Sequence, residues 1–213
     1  MFDIVIIGAG VIGLSIARAI GERTSKSVIV IEKEASYGRG ISSRNSEVIH
    51  SGIYYDPNSM KAKYCTEGRE LLYDFCKKEN VWHKSCGKLI VGRSHQETEL
   101  NTLYQNALTN GVPDVRIIDR QDIQKMEPHV EVDLALHVGC TGIISAHELM
   151  TAFYRISQNK DHDYLFKARV IDANSTNDGY TLDIENSSGE IEQVDCSCCL
   201  LYTSDAADER SSV

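Results

Sequence analysis

Three glycines and one acid near the N-terminus have the types and spacing for holding a phosphorylated nucleotide. The run Gly8-Ala9-Gly10-Val11-Ile12-Gly13 follows the apolar stretch Phe2 to Ile7, and Glu32 stands nineteen positions after Gly13. Each glycine has a mechanical task. Gly8 allows a tight turn, Gly10 lets backbone N–H groups approach a pyrophosphate, and Gly13 lets a helix pack closely on a strand. The start of that helix offers unpaired N–H groups and the positive end of its dipole to the phosphates. Glu32 is placed to accept hydrogen bonds from a ribose diol. A 2′-phosphate would favour an arginine here, so the acid argues against NADP and leaves FAD and NAD open.

These residues need a particular frame. Phe2–Ile7 reads as a buried parallel strand, Leu14 to Ile20 as a helix, and Val28 to Ile31 as a second strand ending on Glu32. Strand, glycine turn, helix, strand and acid in this order form a βαβ nucleotide-binding unit, a far more specific signal than an isolated glycine triplet.

The next segment, GRGISSRNSEVIHSGIYYDPNSMKAKYC from Gly38 to Cys65, is polar and punctuated by glycine, too irregular for one helix or strand. It resembles the flavin-contacting segment of FAD-dependent oxidoreductases of the D-amino-acid-oxidase type. Within that superfamily it is most similar to the L-2-hydroxyglutarate dehydrogenase/oxidase family, through Asn45-Ser46, Val48-Ile49-His50, Gly52-Ile53-Tyr54-Tyr55 and Pro57 to Cys65. One position departs: the family usually has glycine where this chain has Glu47. The likeness continues through Cys86-Gly87-Lys88-Leu89, Met126-Glu127-Pro128 and Gly142-Ile143-Ile144-Ser145, as far as about Ser197.

The resemblance implies FAD as cofactor and a set of residues around it: Gly8, Gly10, Gly13, Glu32, Lys33, Ser42, Ser43, Arg44, Asn45, Ser46, His50 and Val170. It implies oxidation of a 2-hydroxy acid, L-2-hydroxyglutarate to 2-oxoglutarate, by hydride transfer to the flavin, with oxygen or a quinone accepting the electrons. A base must take the hydroxyl proton, and His50 is the candidate because a neutral imidazole accepts protons near pH 7. The other reading of His50 is that it only positions the ring. Arg44 either neutralises flavin phosphate or pairs with a surface acid; Tyr54 and Tyr55 either shape the substrate side or simply pack. His137 and His147 are secondary pocket candidates. The alternatives are a related flavin enzyme acting on glycerol 3-phosphate or a secondary amine, and a nucleotide-binding remnant without catalysis.

The implied fold is α/β: a Rossmann-like βαβ FAD-binding domain interrupted by part of an α+β substrate domain. The expected division is residues 1–80 for the first part of the FAD domain, 81–145 for the substrate domain, and 146–198 for the return. Family members are longer, so the rest of both domains, and with it the substrate's carboxylate ligands, is expected beyond this chain and the fragment alone is expected to be inactive. From Cys199 the sequence resembles the conceptual translation of a sequencing adapter, so 199–213 is expected to be a non-native tail; a solvated native tail is the competing reading.

Between these points the pattern predicts helices over Met60 to Lys78, Glu97 to Leu108, a short one from Asp119 to Met126, and His147 to Ser157. It predicts strands over Lys88 to Val91, Val132 to Val138, Leu165 to Ile171, Tyr180 to Ile184 and Ile191 to Val194. Net charge is −9 in 213 residues with no basic stripe, which argues against a nucleic-acid partner. The seven cysteines contain no CxxC pair, and Cys196-x-Cys198-Cys199 lacks a second ligand pair, so no metal is expected. Scattered thiols, no basic leader before Phe2 and no long apolar run point to a cytoplasmic protein, with peripheral membrane association left open.

Overall fold

The structure is a computed structural model that describes residues 1–201. The described residues divide into two compact units, one formed by 1–45 and the chain from 146 onward, the other by 46–145.

In the first unit, β1 (Phe2–Ile7), α1 (Val11–Arg23) and β2 (Val28–Glu32) form the expected βαβ unit. β1 and β2 are parallel, with Ile4 opposite Val28 and Ile7 opposite Ile31. The chain returns through α5 (Ala146–Gln158), whose Leu149, Met150, Ala152 and Phe153 are buried, and then adds four strands. These are β9 (Asp163–Phe166), β10 (Arg169–Thr176), β11 (Gly179–Glu185) and β12 (Ile191–Leu201). The six-stranded sheet runs β10-β11-β12-β1-β2-β9, parallel from β12 to β9 and antiparallel from β10 to β12. Val5, Ile29, Ile31, Leu182, Ile184 and Cys196 pack as one core cluster.

Two sequence expectations are corrected here. The single strand expected over Leu165 to Ile171 is two strands, broken at Lys167, which has φ +56°. The break lets Lys167 N–H donate to Glu34 O and Ala168 N–H to Glu32 O, each within 3.1 Å, turning the chain across the end of β2. The strand expected to end at Val194 continues to Leu201. Cys199, Leu200 and Leu201 pair with Val5, Ile6 and Ile7 of β1, so the expected boundary at 198/199 falls inside a continuous strand. The remainder of the expected non-native tail lies outside the described residues.

The second unit begins at Ser46, not near residue 80 as expected. The reason is that α2 (Met60–Glu79) packs with this unit: Tyr73 Oη and Arg69 Nη1 donate to the carbonyl and thiol of Cys140 at 3.3 and 3.5 Å. Ser59 caps α2 by accepting the Ala62 N–H. Three two- or three-residue strands that the sequence pattern did not suggest form a small sheet: β3 (Val48–Ile49), β4 (His83–Lys84) and β8 (Gly142–Ile144). A second sheet has the order β5 (Lys88–Gly92), β7 (Leu134–Val138), β6 (Val115–Asp119). α3 (Glu97–Thr109) packs on it, and α4 (Arg120–Met126) is capped by Asp119, which accepts the Asp122 N–H.

Glu47, where the resembled family usually has glycine, sits at φ +54° and gives its carbonyl to Ile144 N–H. A left-handed backbone costs an L-residue about 1–2 kcal/mol and is worst for β-branched side chains. Glu47→Gly is therefore expected to leave stability unchanged or raise it, while Glu47→Val lowers it by about 1–2 kcal/mol. Chemical denaturation of the two variants beside the parent measures this.

Candidate functional site

The site is built around the end of β1. Gly8, at φ +100°, donates its N–H to Ile31 O at 2.8 Å, bending the chain off the strand. α1 then starts so close to the turn that a Cβ on Gly13 would run into the Gly8 carbonyl. Only glycine permits that backbone-to-backbone approach, and the approach sets where the helix N-terminus points.

Glu32 ends β2 and does two structural jobs at once. One carboxylate oxygen accepts the Ala9 N–H at 2.8 Å and the other the Glu34 N–H at 2.9 Å. It thus ties the glycine turn to the segment after β2 while each oxygen keeps lone-pair capacity for a further donor. Ser42, in a short helical turn over Ile41–Ser43, accepts the Val11 N–H at 3.0 Å through its hydroxyl. That bond brings the segment after Gly38 onto the first residue of α1 and leaves the Ser42 hydroxyl proton to donate elsewhere. Ser43 Oγ turns back to Gly40 O at 2.8 Å and Asn45 Nδ2 to Ser42 O at 2.8 Å, which stiffens the same turn.

Together these elements line a cavity of about 1040 Å³. Of the residues singled out from sequence, Gly8, Gly10, Gly13, Glu32, Lys33, Ser42 and Val170 line it. Ser43, Arg44 and Asn45 belong to the same unit without lining the cavity, and Ser46 and His50 belong to the second unit. Sequence reasoning missed Arg39 and Arg169, two cations on the wall that suit a ligand carrying phosphates. Arg39 had a legible signal, since it stands between Gly38 and Gly40 at the start of the segment that carries the flavin likeness. Arg169 had none, because it reaches the wall only through the break at Lys167. The cavity, a helix N-terminus capped by a side chain only at Val11, and the acid at the end of β2 fit a dinucleotide.

In the second unit His50 follows β3. Its side chain is exposed, and its carbonyl accepts a bond from the Cys65 thiol at 3.5 Å. Among the described residues its ring has no hydrogen-bond partner. Asn106 and Asn110, one turn apart, hold the segment after it. Asn106 Nδ2 donates to Ile53 O and Tyr55 O at 2.7 and 2.9 Å, and Asn110 Nδ2 to Gly52 O and Tyr55 O, both at 3.0 Å. His137 is buried, and burial pushes its imidazole below the usual range, with Arg116 adding to the effect and Asp114 opposing it. That keeps its ring neutral and makes it a core residue; His147 opens α5 in the other unit.

The class follows from this architecture: residues 3–203 match the FAD dependent oxidoreductase (DAO) family, and the chain belongs to it. Its cofactor is FAD. Among curated proteins, the chain is 38% identical over 217 residues to human L-2-hydroxyglutarate dehydrogenase, covering 95% of this chain and 46% of that protein. It is 42% identical over 149 residues to the Arabidopsis thaliana protein of the same name, covering 70% of this chain and 31% of that one. The chain thus spans about half the length, or less, of the curated relatives it matches. Among solved structures, the fold matches glycine oxidase from Geobacillus kaustophilus with a TM-score of 0.83 and 20% identity, over 95% of this chain and 55% of that one. It matches L-alpha-glycerophosphate oxidase from Mycoplasma pneumoniae, solved with FAD bound, with a TM-score of 0.80 and 24% identity, over 87% of this chain and 50% of that one.

Glu32→Ala removes the tie to Ala9 and Glu34 together with the ribose acceptor. Charged hydrogen bonds of this type are worth about 1.5–3 kcal/mol, so FAD affinity is expected to fall roughly ten- to a hundredfold. Fluorescence titration of the apoprotein with FAD measures it, and unchanged affinity would mean the acid serves the turn alone.

Proposed function

We propose that the whole protein oxidises a 2-hydroxy acid, converting L-2-hydroxyglutarate to 2-oxoglutarate and passing the electrons to oxygen or a quinone. The observation that carries this reading is the 38% identity to human L-2-hydroxyglutarate dehydrogenase across nearly the whole chain. Bound FAD supplies the two-electron acceptor. Gly8, Gly10, Gly13 and the first-turn N–H groups of α1 beyond Val11 would hold its pyrophosphate, with Arg39, Arg169 and Lys33 offsetting the charge. Glu32 would accept from the ribose hydroxyls and the Ser42 hydroxyl would donate to the nucleotide; Ser43, Arg44, Asn45 and Ser46 carry the chain onward, and Val170 would supply an apolar part of the wall.

His50 is assigned the proton at the substrate hydroxyl. Its ring is exposed and without a partner among the described residues, while its backbone is held by Cys65, so the imidazole is free to accept at a fixed place. Free thiols throughout the described residues fit a reducing compartment, and the curated relatives' names place those proteins in the mitochondrion. No helix among the described residues is long and apolar enough to cross a membrane.

The purified whole protein is expected to be yellow, to release FAD on denaturation, and to bleach when mixed anaerobically with L-2-hydroxyglutarate. A flavin that this compound leaves oxidised would overturn the substrate assignment. His50→Asn is expected to keep its flavin and slow bleaching by about 10²–10⁴-fold, the span usual for loss of a general base. Loss of flavin content with a normal bleaching rate in the loaded remainder would instead make His50 a ring-positioning residue.

A further inference from the structure

Lys88 opens β5 and is half-buried, yet among the described residues no carboxylate lies within ion-pair distance of it. Its ammonium sits 4.4 Å from the centre of the Tyr54 ring and donates to the Tyr54 hydroxyl at 3.4 Å. Some exposed lysines reach carboxylates, Lys26 to Asp3 at 2.8 Å and Lys125 to Asp122 at 2.7 Å, and others do not; Lys88 stands apart in being half-buried and held against a ring whose own backbone is tied down. A ring face attracts an ammonium only weakly at an exposed site, so it orients the ammonium without neutralising it.

Tyr54 is itself held in place. The carbonyls on either side of it, those of Ile53 and Tyr55, are taken by Asn106 and Asn110, while the ring stays 55% exposed. The same rigid segment begins at His50. Cys65, whose thiol donates to the His50 carbonyl, also senses Lys88: burial pushes that thiol up, while Arg69 and then Lys88 pull it back. The other nearby cation is unavailable to a solute. The Arg69 side chain is 3% exposed and committed to the Cys140 thiol and to Glu70.

We infer that Lys88, steadied on Tyr54, is the cation that receives a carboxylate of a 2-hydroxy dicarboxylate whose hydroxyl faces His50. This rests on the substrate class proposed above. A dianion needs fixed cations to offset its desolvation, and an ammonium with no internal anion can supply one without first breaking an ion pair. Tyr54 then serves as a positioning residue that keeps the long lysine side chain extended.

The experiment compares the whole FAD-loaded protein with Lys88→Met, Lys88→Arg and Tyr54→Phe. Lys88→Met is expected to keep full flavin content. The L-2-hydroxyglutarate concentration giving half-maximal bleaching should rise roughly ten- to a hundredfold, as for loss of one charged hydrogen bond, with little change in limiting rate. Lys88→Arg should recover part of the loss, and Tyr54→Phe should show a smaller rise. Unchanged half-saturation in fully loaded Lys88→Met would overturn the inference, as would loss of flavin alone. Should the parent not be bleached by any 2-hydroxy acid, titration with the unreactive dicarboxylate glutarate, read as a shift in flavin absorbance, separates the two failures. Glutarate binding weakened by Lys88→Met supports the carboxylate site while the reaction assignment falls. Glutarate binding that is absent, or indifferent to the substitution, sinks the site.

Discussion

Everything in the first unit depends on how close α1 comes to the end of β1. The two backbones meet where Gly13 faces the Gly8 carbonyl, and no side chain fits between them. That contact fixes the helix axis relative to the sheet, and with it the direction in which the first N–H groups of α1 point. Glu32 holds the arrangement from below by accepting the Ala9 and Glu34 N–H groups, and Ser42 holds it from above through Val11. The nucleotide cavity is the space these three constraints leave open.

The second unit solves a different problem, the holding of an irregular segment. From Ser46 to Tyr55 the chain has only the two residues of β3 in regular structure. Its carbonyls are satisfied from outside, by Cys65 and Asn106 on helices that follow later in the sequence and by Asn110 at the end of α3. Side-chain amides suit this work because they donate two bonds without bringing a charge. The strain at Glu47 belongs to the same picture, since a left-handed residue turns the chain into β3 where a glycine would do so at lower cost. Exposed groups on such a segment, the His50 ring and the Tyr54 ring, are thereby presented on a fixed backbone, as a reacting or binding group must be.

Membership of a flavin family does not specify a reaction, because one cofactor cradle serves many substrates. The solved neighbours are named for glycine and L-alpha-glycerophosphate, the curated relatives for L-2-hydroxyglutarate. The difference between such substrates lies in their charged groups.

The glycine turn, its flanking strands and the acid after β2 were legible because their signals lie within a few residues of the structure they specify. The same holds for the starts of α2 and α4, where Ser59 and Asp119 each accept an N–H three residues on. The sequence by itself therefore determined the α/β class, the nucleotide turn and the likeness to a flavin family. Only the tertiary structure decided the rest. β3, β4 and β8 are too short to carry a pattern, and each exists because a remote partner completes its hydrogen bonds. The break at Lys167 answers to carbonyls of Glu32 and Glu34, more than a hundred residues earlier. The boundary at Ser46 follows from where α2 packs, and the seating of the Lys88 ammonium on the Tyr54 ring follows from which side chains come near it. Such features depend on contacts between distant parts of the chain, and local periodicity holds no information about them.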